Sequence, residues 1–430
     1  MKRIFVAIFV LALVIAVGHS AWALELAYKH DPVMEFEGFQ ASATTAIVTF
    51  TPSFSLKKIV REVESIGFTV ESFSTQDGMA YRPAELLKVR GMISADLSHT
   101  VVRFEDLSLE DALRILCETP GVTEVTPNWV HQLYWTPNDP YYAGYQGNFR
   151  QIYVDKAWGS VSGTNVTVAV IDTGIRKTGM KDSPVTILAG YNFYLNNTDT
   201  TDHLAHGTHV SNTIAEHTNN AVGMAGIAYN AKILPLKVFP DNGGGAYESD
   251  IIDAINYATS HGANVINMSL GGSGYSAQTD AAITNAYNHN VLPFAASGND
   301  GKATVSYPAA YTNCVAVGSV KQHAVGAAAV RSTFSNYGTA LDIVAPGENI
   351  AQETFDPNTG VVGYYYMSGT SMACPHAVAV AALLVSHAGA NAAKIRAAIL
   401  TTAHNPAGAG KWTNTLGYGE IDAYQALQHY

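Results

Sequence analysis

Cysteine is scarce in this chain of 430 residues: only Cys117, Cys314 and Cys374 are present. Three are too few for a disulfide scaffold, and their spacing fits no metal-binding pattern. Whether Cys314 and Cys374 pair or stay as buried thiols depends on geometry that spacing does not give. Charge is also sparse. Asp, Glu, Lys and Arg make up 14% of the residues, and the basic ones are the minority, 24 against 35, for a formal net charge of −11. That balance argues against a nucleic-acid partner and against attraction to anionic lipid. After Val17 no stretch is long and apolar enough to span a membrane, and neither tandem repeats nor low-complexity tracts occur.

What is present begins with an export signal. Lys2 and Arg3 precede an unbroken apolar run, Ile4 to Val17, followed by Ala21-Trp22-Ala23. The run is short for a bilayer span of about 20 residues. The pattern is that of a secretory signal peptide over residues 1–23, with the mature chain starting at Leu24. Secretion to the periplasm or the medium follows. An uncleaved membrane anchor is the competing reading.

Residues 24–134 form a region of their own. Strand patterns at Ala46–Phe50, Phe68–Phe73, Thr100–Phe104 and Val122–Val130 alternate with helical patterns at 55–67 and from Ser108 to near Pro120. The first helix puts Leu56, Ile59, Val60, Val63 and Ile66 on one face. Ser108-Leu-Glu-Asp111 opens the second with a capping signal. The order βαβ…βαβ predicts a small ferredoxin-like α+β domain. An aromatic, turn-rich segment from Tyr134 to Gln151 then leads into residues 135–430. Near-continuous apolar runs at Val166–Ile171, Ala231–Val238, Val265–Leu270, Val291–Ala296 and Cys314–Val320 suit strands buried on both faces. With helical patterns at Asp250–His261 and Pro375–His387, they predict an α/β fold around a parallel sheet.

Four short stretches carry chemistry. Asp172 follows an apolar strand directly, at the edge where open α/β sheets build sites; its carboxylate could orient a histidine. His206-Gly-Thr-His209 opens a helical pattern, and His206 could serve as general base. His209 shares a helix face with it, but no glutamate stands between them and no third metal ligand is evident. Ser371 lies in Ser368-Gly-Thr-Ser-Met-Ala before an apolar helix, with Pro375 expected in the first turn. A helix N-terminus there offers the serine an N–H and a positive dipole end. Asn299, ending Ala295-Ala-Ser-Gly-Asn299, could donate its amide to an oxyanion. Singly, each is also an ordinary turn or capping residue. Together they supply a carboxylate, an imidazole, a hydroxyl and an amide.

In the order Asp…His…Ser, the stretches Asp-Thr-Gly, His-Gly-Thr-His and Gly-Thr-Ser-Met-Ala-x-Pro-His resemble the signatures of the subtilisin-like serine proteases, the subtilases. The likeness runs from about Thr136 to the C-terminus and includes Val344-Ala-Pro-Gly347 and Leu416 to Asp422. It implies a subtilisin-like parallel sheet flanked by helices, with Asp172, His206 and Ser371 as a catalytic triad and Asn299 in the oxyanion hole. By the same likeness residues 24–134 resemble a propeptide that assists folding and inhibits the enzyme. Ser269-Leu270-Gly271 and Gly244-Gly245-Ala246 resemble the two strands that hold an extended peptide, with Ser306 at the base of the specificity pocket. The segment Thr218 to Met224 resembles a calcium loop, with Thr218, Asn220, Val222 and Met224 as ligands and Asp139 and Asp182 as partners. Asp182 sits in a stretch that departs from the family pattern, and Asn212, Ala379 and Pro293 are further departures.

The expectation is a monomeric, secreted serine endopeptidase made as a zymogen. It would act on protein or peptide substrates with broad specificity, its propeptide serving as intramolecular inhibitor, with structural calcium and no cofactor for catalysis. A membrane-tethered processing enzyme of narrow specificity and a non-catalytic peptide binder are the alternatives. No acidic cluster stands near the groove segments in sequence, which counts against selection of basic sites.

Overall fold

The computed structural model describes residues 33–36, 39–52, 54–76, 80–83, 94, 97–129, 135–184, 186–408 and 410–429. The signal-peptide segment and the stretch 130–134 lie outside the described residues. The chain divides into two compact units, one up to Gln132 and one from Leu133.

The first unit contains Val33–Phe36 (β1), Phe39–Phe50 (β2), Leu56–Ser65 (α1), Thr69–Thr75 (β3), Ala80–Tyr81 (β4), Leu97–Arg103 (β5), Leu109–Glu118 (α2) and Val122–Trp129 (β6). Strand β2 pairs antiparallel with β5 and with β6, and β5 pairs antiparallel with β3. The resulting order β6-β2-β5-β3 is the ferredoxin-like arrangement that the βαβ…βαβ pattern predicts. β1 and β4 add short antiparallel pairs to it. Both helices start on a serine cap: Ser55 Oγ accepts from the Lys58 N–H and Ser108 Oγ from the Asp111 N–H. Ile59, Val63, Leu109 and Leu116 turn inward from the helices onto Val48, Phe73 and Val102 of the sheet.

The second unit opens with three short helical turns, Tyr142–Tyr145 (α3), Gly147–Gln151 (α4) and Val154–Ala157 (α5). Thr167–Asp172 (β7), Thr186–Ile187 (β8), Tyr191–Asn192 (β9), His206–Ala215 (α6), Lys232–Lys237 (β10), Glu248–Ser260 (α7), Val265–Met268 (β11), Ala277–Asn288 (α8), Leu292–Ala296 (β12), Val315–Val320 (β13) and Ile343–Pro346 (β14) follow. The unit closes with the hairpin Ile350–Phe355 (β15) and Val362–Met367 (β16), then the helices Thr370–Ala388 (α9), Ala392–Thr402 (α10) and Ala423–His429 (α11).

The main sheet is parallel in the order β14-β13-β12-β11-β7-β10-β8, with β9 also on β10. β7 comes first in sequence yet lies in the middle, so the strand order reverses around it. Val168 and Val170 face one layer, with Val210 and Ile214 of α6 and Val378 and Leu384 of α9. Ala169 and Ile171 face the other, with Ile255 of α7 and Ile283 of α8. Both faces are covered, which is why the strand is apolar throughout rather than alternating.

Two prolines sit inside strands, and pairing explains both. Pro293 of β12 faces Ile266 of β11, while β13 joins β12 only from Phe294 onward. Pro235 of β10 falls where the outer edge is unpaired, between β8 at Ile233 and β9 at Leu236. Each missing N–H therefore costs no ladder bond. Cys314 packs in the layer of α7 and α8 and Cys374 in the layer of α9. The three cysteines are free, and the two buried ones lie on opposite faces of the sheet.

The expectation that no stretch after Val17 is long and apolar enough to span a membrane is corrected here: helix α9 is so by length and composition, but 78% of that window is buried. It is the core helix of the unit. Five buried alanines, Ala373, Ala377, Ala379, Ala381 and Ala382, keep it close to the sheet, and Ala381 has no exposed surface. Enlarging a close-packed site forces neighbours off their rotamers. Ala381→Leu is expected to cost about 1–3 kcal/mol, read as a fall in thermal midpoint measured in a Ser371→Ala background.

Candidate active site

The carboxyl end of β7 meets the amino ends of α6 and α9. Asp172 is the last residue of β7 and is fully buried. Its Oδ1 accepts from the Thr173 N–H at 2.7 Å and lies 2.7 Å from His206 Nδ1. His206 is the first residue of α6, and its side chain keeps 31% of its surface exposed. The helix can come this close because residue 207 is glycine: a Cβ there would lie 2.3 Å from the Gly174 carbonyl.

Sequence reasoning missed two supports of this pair. Asp202 is buried and caps the turn into α6, its Oδ1 accepting from Leu204 and Ala205 N–H and its Oδ2 from the Thr208 N–H and hydroxyl. An aspartate just before a helical pattern is the signal that could have revealed it. Lys237, beside Asp172 in the β7–β10 register, is buried; its Nζ donates to the Thr173 carbonyl at 2.5 Å and pairs with Asp241 at 2.9 Å.

Burial by itself pushes the His206 pKa down. The charge and hydrogen bond of Asp172, with Asp202 behind, outweigh it, and the net shift is upward. His209 differs. Its Nε2 lies 3.0 Å from the Ile350 carbonyl, and burial pushes its pKa down to about 3. It is a neutral core histidine tying α6 to β15. Asn212, one turn on, donates to the Glu353 carbonyl at 2.9 Å and strengthens the same contact.

Ser371 is the second residue of α9. Pro375 lies inside this helix and not in its first turn, because the helix already begins at Thr370. The proline has no N–H for the Ser371 carbonyl four residues back. Ser269 Oγ supplies one instead, donating to that carbonyl at 2.8 Å. Ser371 Oγ donates in turn to the Ser269 carbonyl at 3.1 Å rather than to His206. Catalytic hydrogen bonds are often loose until substrate binds. Asn299 Oδ1 accepts from the Thr370 N–H at 2.8 Å and hydroxyl at 2.9 Å, which leaves its Nδ2 as the free end. Nδ2 and the Ser371 nitrogen both border the space that Gly369 leaves: a Cβ there would lie 3.5 and 3.6 Å from them. Two donors beside one open space can hold a developing oxyanion.

The two groove segments, expected as strands, carry no strand assignment among the described residues. Ser269-Leu270-Gly271 continues past the end of β11, and Gly244-Gly245-Ala246 lies in the loop before α7. A strand needs a ladder, and their facing edges have no backbone partner among the described residues. Gly245, Ala246, Leu270 and Gly271 line one cavity of about 420 Å³. Gly244 and Ser306 are outside its lining. Ser306 sits instead between Gly271 and Gly298, where a Cβ on either glycine would meet it at 3.2 Å and 2.5 Å.

The calcium residues also come together. Asp139 Oδ2 accepts from the Asn219 N–H at 2.7 Å, and Asp182 Oδ2 from the Asn220 amide at 3.0 Å. The Asn220 amide oxygen accepts from the Val222 N–H, and Met224 is buried at the loop's end. The Thr218 hydroxyl closes the base of the loop, donating to the Glu216 carbonyl. Burial pushes Asp182 up to about 6 and raises Asp139. Burial and the nearby charges of Asp182 and Glu353 raise Glu216 behind them well above its usual range, with a backbone hydrogen bond at Met224 acting the other way. No group of three His, Cys, Asp or Glu side chains gathers as a metal site among the described residues. The loop and its neighbours offer two carboxylates, an amide and backbone carbonyls, with His217 as a nearby group able to carry positive charge. That donor set suits a hard divalent ion such as calcium.

Comparison with known proteins agrees with this geometry. Residues 163–419 match the profile of the subtilase family, Peptidase_S8. The chain is 42% identical over 323 residues to a thermophilic serine proteinase of Bacillus sp. strain AK1, covering 75% of this chain and 77% of that protein. It is 36% identical over 295 residues to thermitase of Thermoactinomyces vulgaris, covering 69% of this chain and all of that protein. Among solved structures, a protease of Pseudoalteromonas arctica superposes with a TM-score of 0.58 at 30% identity, over 68% of this chain and 99% of that one. Fervidolysin of Fervidobacterium pennivorans shares the fold, with a TM-score of 0.61 at 24% identity over 92% of this chain and 62% of that one.

The raised His206 pKa has a direct consequence. A base must be neutral, and a raised pKa keeps the ring protonated to higher pH. The acid limb of kcat/KM is therefore expected above the ordinary histidine value of about 6.5. Asp172→Asn removes the charge and leaves the desolvation, so the limb should move to lower pH while kcat falls by about 10⁴. A pH–rate profile of both proteins tests this.

Proposed function

The chain belongs to the subtilase family and is a serine endopeptidase, and we propose that it works through Asp172, His206, Ser371 and Asn299 as a secreted, self-activating enzyme. The observation that carries this reading is the 2.7 Å contact of His206 with Asp172, together with a helix-borne serine whose backbone nitrogen borders the same space as the Asn299 amide. Ser371 Oγ attacks the peptide carbonyl, and His206 Nε2 takes its proton. Asp172 fixes the ring with Nδ1 protonated and stabilises the imidazolium. The oxyanion accepts from Asn299 Nδ2 and the Ser371 N–H. Collapse expels the amine, which carries away the proton from His206, and leaves an acyl-enzyme. Water, deprotonated by the same imidazole, then releases the acid.

The peptide lies extended between Ser269–Gly271 and Gly244–Ala246, pairing by its backbone. Backbone pairing is indifferent to side chains, so specificity is broad, and the slot over Ser306 takes the side chain before the scissile bond, with apolar and aromatic residues favoured. Calcium would be held by Asp139, Asp182, Asn220 and carbonyls of the 218–224 loop, Val222 and Met224 included. It supplies positive charge that offsets the buried carboxylates there.

Residues 1–23 would be removed on export. The N-terminal unit, with its own core, would serve as folding assistant and inhibitor until cut away between about His131 and Asn138. Intact mass of the secreted product tests activation and mechanism together. Wild type is expected to lose about 11–13 kDa, the size of a small domain, while Ser371→Ala retains it. Equal full-length masses would instead favour a non-catalytic peptide binder, and equal cleavage would assign activation to another protease. Chelation is a separate test. Removing a ligand that binds only the folded state lowers the thermal midpoint, so excess chelator should shift the Ser371→Ala protein down by several degrees. No shift would remove the calcium assignment.

A further inference from the structure

Side chains hold the first turn of α9 at three successive residues. Asn299 Oδ1 accepts from the Thr370 N–H and hydroxyl, and Ser269 Oγ donates to the Ser371 carbonyl. The third brace falls on Met372. It comes from the imidazole of His376, whose Nδ1 lies 2.8 Å from the Met372 carbonyl. Pro375 explains why the turn needs support: a proline inside a helix removes one N–H and crowds the carbonyl four residues back. Asn299 and Ser269 belong to segments that border the triad. The imidazole brace leads elsewhere.

His376 has no exposed surface. Its Nε2 lies 2.7 Å from Nδ2 of Asn148 on α4, and the neighbouring Phe149 packs edge-on to the ring at 5.7 Å between centroids. Counting donors places the protons of this pair. A carbonyl only accepts, so the bond to Met372 requires a proton on Nδ1. Burial pushes the His376 pKa down to about 4, which leaves the ring neutral with no second proton. Nε2 is therefore an acceptor, and the Asn148 amide must present an N–H to it. Turned the other way, the amide oxygen would face a lone pair. The orientation has a consequence: among the described residues, Asn148 Oδ1 is buried with no hydrogen-bond partner. An unpaired buried polar atom calls for an explanation. Here it follows from pointing the donor end of the amide at Nε2.

We propose that Asn148 is a positioning residue for the nucleophile: it fixes the tautomer of His376, and the imidazole then holds the Met372 carbonyl and the turn that carries Ser371. The proposal rests on the peptidase reading above. Which ring nitrogen of a neutral histidine bears the proton is set by the hydrogen bond that the other nitrogen makes. Without the Asn148 donor the proton is free to move to Nε2, and a molecule in that state loses the Met372 bond. Ser371 immediately precedes that carbonyl, and a small misplacement of reacting groups slows a reaction severely. The loss therefore falls on turnover and spares the binding groove. The aromatic, turn-rich segment from Tyr134 to Gln151 gains a role by this reading, since it carries the brace.

The test uses the mature enzyme and Asn148→Leu, which keeps the volume and removes the donor. Active sites are counted by stoichiometric labelling of Ser371 with a fluorophosphonate, so misfolded molecules drop out. On one peptide substrate, kcat per labelled site should fall about tenfold while KM stays within about twofold, a change that one hydrogen bond of ordinary net strength supplies. Unchanged kcat per site, or an effect confined to KM or to the thermal midpoint, overturns the proposal and leaves the peptidase reading intact. A second measurement needs no turnover. In Ser371→Ala protein with isotopically labelled histidine, nitrogen NMR should show His376 protonated at Nδ1 and bare at Nε2. Adding Asn148→Asp, which keeps the shape but offers only acceptors when ionised, should bring a proton onto Nε2. A His376 ring already protonated at Nε2 before that change also overturns the proposal. Wild type that cuts no peptide and takes no fluorophosphonate label overturns both readings.

Discussion

A parallel strand covered on both faces cannot present a polar side chain along its length, so its chemistry collects at its end. β7 follows this constraint: after Thr167 at its start, Val168 to Ile171 serve the two layers, and the next polar group is Asp172 at its end. Because strand order reverses at β7, the space beyond its carboxyl end is open to helices arriving from either side. α6 and α9 fill it. The buried carboxylate needs a partner there, since an isolated charge out of water is costly, and His206 with the Thr173 N–H provides it. Gly207, Asp202 and Lys237 are all understood as means of bringing that partner to 2.7 Å and holding it.

The second helix shows how a defect in regular structure becomes a positioning device. Pro375 deprives the Ser371 carbonyl of its helical bond, and the Ser269 hydroxyl replaces it. The substitution ties the start of α9 to the segment that the substrate is proposed to pair with. Ser371 and the segment Ser269–Gly271 are thereby held in one frame, and Asn299 is locked to the same helix turn through Thr370.

Charge is unevenly resolved across the unit. At the end of β7 the Asp172 carboxylate is paired through Oδ1, while its Oδ2 is buried without a side-chain or backbone partner among the described residues. Beside the 218–224 loop burial holds Asp139 and Asp182 above their usual range, and burial with the nearby charges of Asp182 and Glu353 raises Glu216 further. The calcium ion proposed above would offset that second concentration of charge.

Residue types and local order were enough to read the parallel-sheet class and the ferredoxin-like unit, and to single out Asp172, His206, Ser371 and Asn299 as candidates. These depend on period, on strand ends and on helix starts, all short-range properties of the chain. Helix α8, the β15–β16 hairpin and the true start of α9 were not legible, because their patterns are short or interrupted by Pro375. Nor could spacing decide that Cys314 and Cys374 lie on opposite faces of a sheet, or that Asp202 and Lys237 buttress the histidine. Those facts arise when elements far apart in sequence pack on one sheet. The chain's local pattern determined which chemical groups it possesses and where each element ends; only tertiary packing decided which of them face one another, since distance in space is set by the layers and not by the count of residues between.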